Sequence, residues 1–451
     1  YQLLSQKLAS TPLSDIDQFL ADSKGSLLAD KLTASVLFFL AEQKRWQEFN
    51  RYYTSGFNSI AMRCRSLLAR YHTGDRDALS EGTSIWNEGQ SQPNACDPLF
   101  QLLQTQNLIT PALRWSRFDK AIQNNRLSLA RYIQRAMDTQ HYNLAELYFQ
   151  VNNTPKRITN TQAYSDSSIQ MQSIIAHGIR KLARTQPKLA WQHWERYEAQ
   201  RLFAPELATY TKQHIVKYLT RKGYLAEAEQ LLSYSHSLRH PQLIESLIRE
   251  NLESLNWAAV AKNIALLPEA LKQTDRWQYW YARSHQMLQT RHIATNANID
   301  VHSIYASLAT KRSWYGFLAA DIIGNAYTLQ DATVSANGRI KNRLANEPLM
   351  LQAKELWIIG NHQQARAHWY HALKHFNSEE LIAAGELAKE WGWYNSGIVA
   401  MISGNLWNHL TLRFPLAYNN EIEQAALNSQ LDQTLIYAVA RQESAFASAA
   451  V

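Results

Sequence analysis

The sequence predicts an all-α fold, a degenerate α-solenoid built from helix pairs, and three observations carry that expectation. Apolar residues recur at helical spacing from the start of the chain to its end. Glycine and proline number only 15 and 11 in 451 residues, too few for the turns of an all-β chain. A short grammar also repeats: an apolar helix, a glycine or polar turn, then an amphipathic helix carrying alanines early. It is visible in "LLARYHTGDRDALSEGTSIW", "IVKYLTRKGYLAEAEQLLS" and "AKELWIIGNHQQARAHWYHAL". Small residues there let paired helices approach closely, which is the logic of tetratricopeptide-like repeats, although no strict period of about 34 residues holds. The length exceeds what one core fills, so a repeat array or several domains is expected. A hydrophobic share of 46% excludes disorder.

Taken in order, "LSDIDQFLADS" predicts a helix capped at Ser14, with Ile16, Phe19 and Leu20 following at helical spacing. "LTASVLFFLAEQKRWQEFNRYY" predicts a helix pair joined near Gln43–Arg45. Trp277 and Trp280, and Trp391 and Trp393, are expected to wedge neighbouring helices together, with a sugar-stacking surface as the alternative. The pattern weakens over 321–347, where glycine, asparagine, β-branched residues and a proline predict irregular or extended chain and a boundary. A second break falls where Pro415 follows "LWNHLTLRF", and a new helix is expected near Asp432. No apolar run reaches membrane-spanning length; the longest is "SVLFFLA".

The formal net charge of +8 suits a polyanionic partner, whether nucleic acid, an anionic membrane surface or an acidic cell-wall polymer, without choosing among them. Phosphate-cradling glycine loops, dinucleotide fingerprints, HExxH and CxxC pairs are all missing from the sequence. Cys64 and Cys96 lack metal-site spacing. They read as two buried thiols or, in an oxidising compartment, as a disulfide stabilising the fold by roughly 3–4 kcal/mol. His368, His371 and His375 share one side of a helix, but they flank an apolar line of Ala365, Trp369, Ala372, Leu373 and Phe376. A solvated flank is therefore expected rather than a metal site. The basic run Arg339–Arg343 reads as a solvated connector.

The last helix holds the one unusual carboxylate. In "DQTLIYAVARQESAFA", Asp432 is the expected N-cap, and Ile436, Val439, Glu443 and Phe446 fall on one face. Glu443 thus interrupts a stripe that should be dry. It is either a glutamate at a frayed helix end or a carboxyl in an apolar setting, where lost solvation keeps it protonated and able to act as a general acid. Ser444 could orient a substrate or that carboxylate.

"YAVARQESAF" resembles the first catalytic motif of the lysozyme-like lytic transglycosylases, in which a glutamate-serine pair ends a helix. "SQPNACDPLF" (Ser91–Phe100), "RWQYWYAR" (Arg276–Arg283), "SWYGFLAADIIG" (Ser313–Gly324) and "LWNHLTLRFPLAYNN" (Leu406–Asn420) resemble stretches of the large soluble lytic murein transglycosylases. The resemblance covers essentially the whole chain. It implies a superhelical, ring-like α domain over 1–345, a small helical linker domain over 346–413, and over 414–451 the first part of a lysozyme-like catalytic domain. It implies a periplasmic enzyme, with the signal peptide outside this sequence, and hence a Cys64–Cys96 disulfide. Glu443 would be the catalytic residue and Ser444 would bind substrate.

The implied activity is non-hydrolytic cleavage of the MurNAc–GlcNAc β-1,4 bond in cell-wall turnover, giving 1,6-anhydromuramoyl products. One carboxylate would serve twice, because the muramoyl 6-hydroxyl replaces water as nucleophile. The expected partners are peptidoglycan glycan strands, with penicillin-binding synthases as candidate protein partners. A monomer is expected, without nucleic acid, cofactor, metal or transmembrane segment. The family's later glycine-bearing "GLMQ" and "AYNAG"-like motifs do not follow Val451, so an incomplete and inactive catalytic domain is expected. The alternative is a non-catalytic helical-repeat scaffold that binds peptidoglycan or protein partners.

Overall fold

The computed structural model describes residues 1–200, 203–293 and 299–447. Helices dominate, and no β-strand occurs among the described residues. The chain divides into two compact units, one comprising Tyr1–Phe39 and Leu329–Val451, the other Leu40–Thr328.

In the second unit, successive helices pack on their sequence neighbours, so the core extends along the stack from Trp115 to Trp277. Helix Ile169–Ala183 lies at its centre, and ten of its fifteen residues are buried. A helix apolar on most sides must be covered on most sides, and it packs against Thr139–Asn153, Pro187–Gln200 and Pro205–Arg221. Gly178 permits one of these approaches, because a Cβ there would come within 2.6 Å of Val151 Cγ1. Gly316 is tighter still, its Cβ position lying 2.1 Å from the Lys311 carbonyl oxygen. Trp277 is 1% exposed, with its indole N–H donating to Glu245 Oε1 at 3.1 Å, so this ring is a core wedge. A disulfide joins Cys64 on helix Ile60–His72 to Cys96 in the short turn Asn94–Cys96, with the Cα atoms 5.1 Å apart.

Apolar clusters in the first unit include a larger and a smaller one. The larger is centred on Trp369, Trp393 and Met401. The smaller gathers Ile398, Ala417, Ile422 and Phe446. Trp357 stacks on Trp393 at 4.8 Å, and the Trp369 indole donates to the Ser396 carbonyl at 3.2 Å. Helix Ser378–Glu390 starts with a reciprocal capping box between Asn377 and Glu380, which satisfies two otherwise unpaired N–H groups.

Several local expectations are met and others are corrected. The helix pair Leu27–Glu42 and Trp46–Tyr52 turns at the expected place, with Lys44 in the left-handed region. The first capped helix is Leu13–Asp22 with Pro12 as its N-cap residue, so Ser14 lies inside the helix rather than at its cap. Residues 325–337 are irregular, but they are tied down. The Ala332 N–H donates to Asn408 O at 2.8 Å, His409 Nε2 to Val334 O at 2.8 Å, and Ala336 N–H to Glu386 Oε1 at 2.8 Å.

The basic run is not a solvated connector. It forms helix Gly338–Ala345, whose Lys341 reaches Glu386 and Glu390 and whose Arg343 reaches Glu380 on helix Ser378–Glu390. Hydrogen bonding to Glu390 is the main cause raising the Lys341 pKa.

The histidine flank is corrected too. His368 and His371 are buried, and only His375 is exposed. His371 Nε2 donates to Gly25 O at 2.7 Å, and Lys31 Nζ donates to Gln364 Oε1 at 3.2 Å. The N-terminal segment therefore covers this face, a contact across more than 300 residues that helical periodicity does not report. Among the described residues no group of His, Cys, Asp and Glu could hold a metal ion.

Candidate functional site around Glu443

Helix Gln433–Ser444 carries the candidate carboxylate. Its start follows the expected chemistry: Asp432 Oδ1 accepts the Thr434 N–H at 2.7 Å, satisfying an orphan donor of the first turn. The Thr434 hydroxyl and this N–H together hold the Asp432 carboxyl below its ordinary value.

The helix docks through Ile436, Tyr437 and Ala440, which pack on the cluster of Ile398, Ala417, Ile422 and Phe446. The expected dry stripe is therefore displaced. Val439 is 53% exposed, and Glu443 is exposed beside it. The reason is geometric: Ile436, Val439 and Glu443 run along the edge of the docked face, about a quarter turn from its centre near Tyr437 and Ala440. Leu435, Val439 and Glu443 instead follow one another at four-residue intervals along an outward face, with Leu435 50% exposed. Glu443 is thus a carboxylate beside apolar surface open to solvent.

The end of this helix is held by long-range donors. Ala445 and Phe446 both adopt left-handed conformations, φ 49° and 61°, and this reversal carries Phe446 into the core at 5% exposure. Asn395 Nδ2 reaches Ser444 O at 3.4 Å and Ala445 O at 3.5 Å, and Tyr418 Oη donates to Phe446 O at 3.4 Å. The Ser444 carbonyl also accepts the Ala447 N–H at 3.0 Å, and the other two carbonyls lie just past the helix end. These donors fix where the Glu443–Ser444 pair sits. The Ser444 hydroxyl donates to Ala440 O at 3.0 Å, so its proton is engaged within the helix while its oxygen can still accept.

On the neighbouring face opens a cleft of about 390 Å³, lined chiefly by Phe414, Pro415, Leu416, Tyr437, Arg441 and Gln442. Arg441 Nε donates to Arg413 O at 2.8 Å, and the guanidinium lies 5.5 Å from the Phe414 ring centre. Burial pushes the Arg441 guanidinium down from its ordinary value. Arg441, Asn395 and Tyr418 are not among the residues that the sequence singles out. Arg441 had a local signal, lying two residues before Glu443; the other two are 28 to 50 residues from the groups they bond.

Residues 343–410 match the family model described as the soluble lytic murein transglycosylase L domain. The soluble lytic murein transglycosylase of Salmonella typhimurium is 25% identical over 452 residues, spanning 99% of this chain and 68% of that protein. Among solved structures, an inactive mutant of the lytic transglycosylase Slt from Pseudomonas aeruginosa superposes with a TM-score of 0.85 at 28% identity. That match covers 98% of this chain and 71% of the other. The 70-kDa soluble lytic transglycosylase of Escherichia coli superposes with a TM-score of 0.81 at 22% identity, covering 99% and 71%.

Proposed function

The chain belongs to the soluble lytic murein transglycosylase family, and from that premise we propose that it serves a lytic transglycosylase acting on peptidoglycan, with Glu443 as the catalytic residue. The observation that carries the reading is the extent of the likeness: sequence and fold follow the family over nearly all of this chain. In this reading the chain divides into a superhelical region (1–345), a linker domain (346–413) and the start of a lysozyme-like catalytic domain (414–451). The setting is periplasmic. The binding partners are glycan strands, with penicillin-binding synthases as candidate protein partners, and the chain acts as a monomer. No helix among the described residues is long and apolar enough to cross a membrane.

Chemically, Glu443 donates a proton to the oxygen leaving the muramoyl C1 while positive charge develops at that carbon. The resulting carboxylate then takes the proton of the muramoyl 6-hydroxyl as this oxygen closes on C1. Atoms balance without water, and the product is the 1,6-anhydro sugar. A single acid suffices because the nucleophile belongs to the substrate, whereas ordinary glycosidases need a second carboxylate. The position supports the role, since Glu443 is exposed at the last turn of a helix whose end is fixed by Asn395 and Tyr418. Ser444, adjacent in sequence, offers an acceptor oxygen to the saccharide.

The test is Glu443→Gln in the protein purified from its native source, with anhydromuropeptide release followed by mass spectrometry. Loss of about 10²–10⁴-fold in rate, with peptidoglycan binding retained, is the expected result for a proton-transfer residue. An unchanged rate removes Glu443 from the mechanism.

A further inference from the structure

The second unit holds a cleft of about 590 Å³, with Trp86, Phe100, Gln104, Arg117, Ser128 and Tyr132 among its lining. Arg117, on helix Pro111–Gln123, is only 5% exposed. Other guanidinium groups of this unit meet carboxylates, as Arg70 does Asp75 and Glu81 and Arg131 does Glu146, or carbonyl and hydroxyl oxygens, as Arg114 does Ala136 O and Arg180 does Thr211 Oγ1. Arg117 has aromatic faces instead. Its guanidinium carbon lies 4.5 Å from the Trp86 ring centre and 5.7 Å from that of Phe100, and its Nε is buried without a hydrogen-bond partner. Ring faces stabilise the charge, but they do not accept the in-plane fork of N–H donors. Burial pushes this guanidinium down from its ordinary value, and the group acting against burial is the Tyr132 phenol rather than an acid. An arginine remains charged in such a place. A desolvated cation bordering an open polar cleft is the arrangement a planar anion completes.

We infer that this cleft binds the carboxylate end of an acylated amino acid or short peptide, with Arg117 as its charge partner. The lining favours a carboxylate over a phosphate. Asp97 borders the same cleft and opposes a second negative charge, while a planar monoanion matches one guanidinium fork. Gln101, Gln104 and Ser128 supply donors and acceptors for amide groups, and Tyr132, 68% exposed, offers a ring at the rim for a small apolar side chain. The identity of the natural ligand rests on the proposed function: the peptide side branches of the cell-wall polymer end in carboxylates of this kind. The site itself does not involve Glu443, so its binding can fail or succeed whatever happens in the cleavage assay.

The probe is N-acetyl-D-alanine, titrated against the protein by ligand-observed NMR beside its primary amide and inorganic phosphate. The acid is expected to bind at least about tenfold more tightly than the amide, a difference of one charge-assisted interaction, and more tightly than phosphate. Arg117→Met is expected to abolish that binding while leaving the melting temperature unchanged or raised, because an uncompensated buried charge is exchanged for apolar bulk. Tyr132→Ala, which touches an exposed ring, is expected to weaken the acid severalfold in a fully folded protein. Equal affinity for acid and amide, tighter binding of phosphate, retained binding in Arg117→Met, or no binding up to the solubility of the acid would each overturn the assignment. If Arg117→Met instead lowers the melting temperature sharply, the guanidinium is a strut between Trp86 and Phe100. The proposal then falls unless Tyr132→Ala still weakens the acid.

Discussion

Removing the disulfide gives a test of how the start of the second unit is held. Cys64 and Cys96 are both 0% exposed, and their linkage closes a segment spanning a sequence separation of 32. Within that loop lie the end of helix Ile60–His72 and all of Asp77–Trp86, which contribute Leu67, Leu68, Leu79, Ile85 and Trp86 to a small local cluster. That cluster has few members, so the cross-link supplies a large share of its persistence. The chain-entropy relation for a loop of this length gives about 3.7 kcal/mol at 25 °C. That corresponds to a roughly 500-fold change in the equilibrium for opening the segment. Two units need not unfold together, so a melting temperature does not isolate the opening of this one segment.

Native-state hydrogen exchange of the Cys64→Ala/Cys96→Ala variant reads the segment itself. Amides of Leu67, Leu68 and Ile85 should lose about two to three orders of magnitude of protection, a fall set by the same loop entropy. Those in helix Ile169–Ala183 should change little. Two results would refute this reasoning. A loss below about fivefold, about 1 kcal/mol, would mean the apolar cluster already holds the loop closed. An equal loss in both regions would mean that the cross-link acts on the whole unit rather than on this segment.

Two further outcomes follow from buried groups in the same unit. His214 is held at a pKa of about 4, against an ordinary 6.5, first by burial and then by Arg180, Arg184 and Lys217. Its folded-state value is depressed, so its contribution is full above pH 6.5, falls as the pH drops from 6.5 towards 4, and is flat below that. The size is on the order of 3 kcal/mol. The difference in stability between the protein and His214→Gln, measured by denaturant unfolding across that window, should carry this slope; no pH dependence in the difference would remove His214 as the cause. Gly316→Ala places a Cβ 2.1 Å from the Lys311 carbonyl oxygen, a backbone atom that cannot rotate away. Overpacking of roughly 1–3 kcal/mol should outweigh the helix-propensity gain of about 1 kcal/mol, and a higher melting temperature would contradict that close approach.

Helix existence was legible in the sequence because helical spacing is a local property, and Leu27–Glu42, Trp46–Tyr52 and Gln433–Ser444 lie where periodicity put them. Which face of a helix is covered is not local. His371 is buried by Gly25, and Lys341 meets carboxylates 45 and 49 residues away. Periodicity alone makes both solvated, because neither partner lies within a helical turn. The same limit acted in the opposite sense on Val439 and Glu443: an apolar line exists there, but the helix docks a quarter turn away, because Phe446 returns beneath it through two left-handed residues.

That displacement bears on the proposed chemistry. A carboxylate in the docked face would be closed to a saccharide by Ile398 and Ile422. At the edge it can meet a ligand laid along Leu435 and Val439 while the backbone beneath stays anchored. The motif needs a helix end that is fixed and a side chain that is free. Asn395 and Tyr418 provide the first, and the outward face provides the second. Asn395→Ala should therefore lower turnover of peptidoglycan more than its binding, because it loosens the backbone that carries Glu443 and Ser444 and leaves the outward face of the helix in place. Equal losses in both would place Asn395 in the binding surface instead.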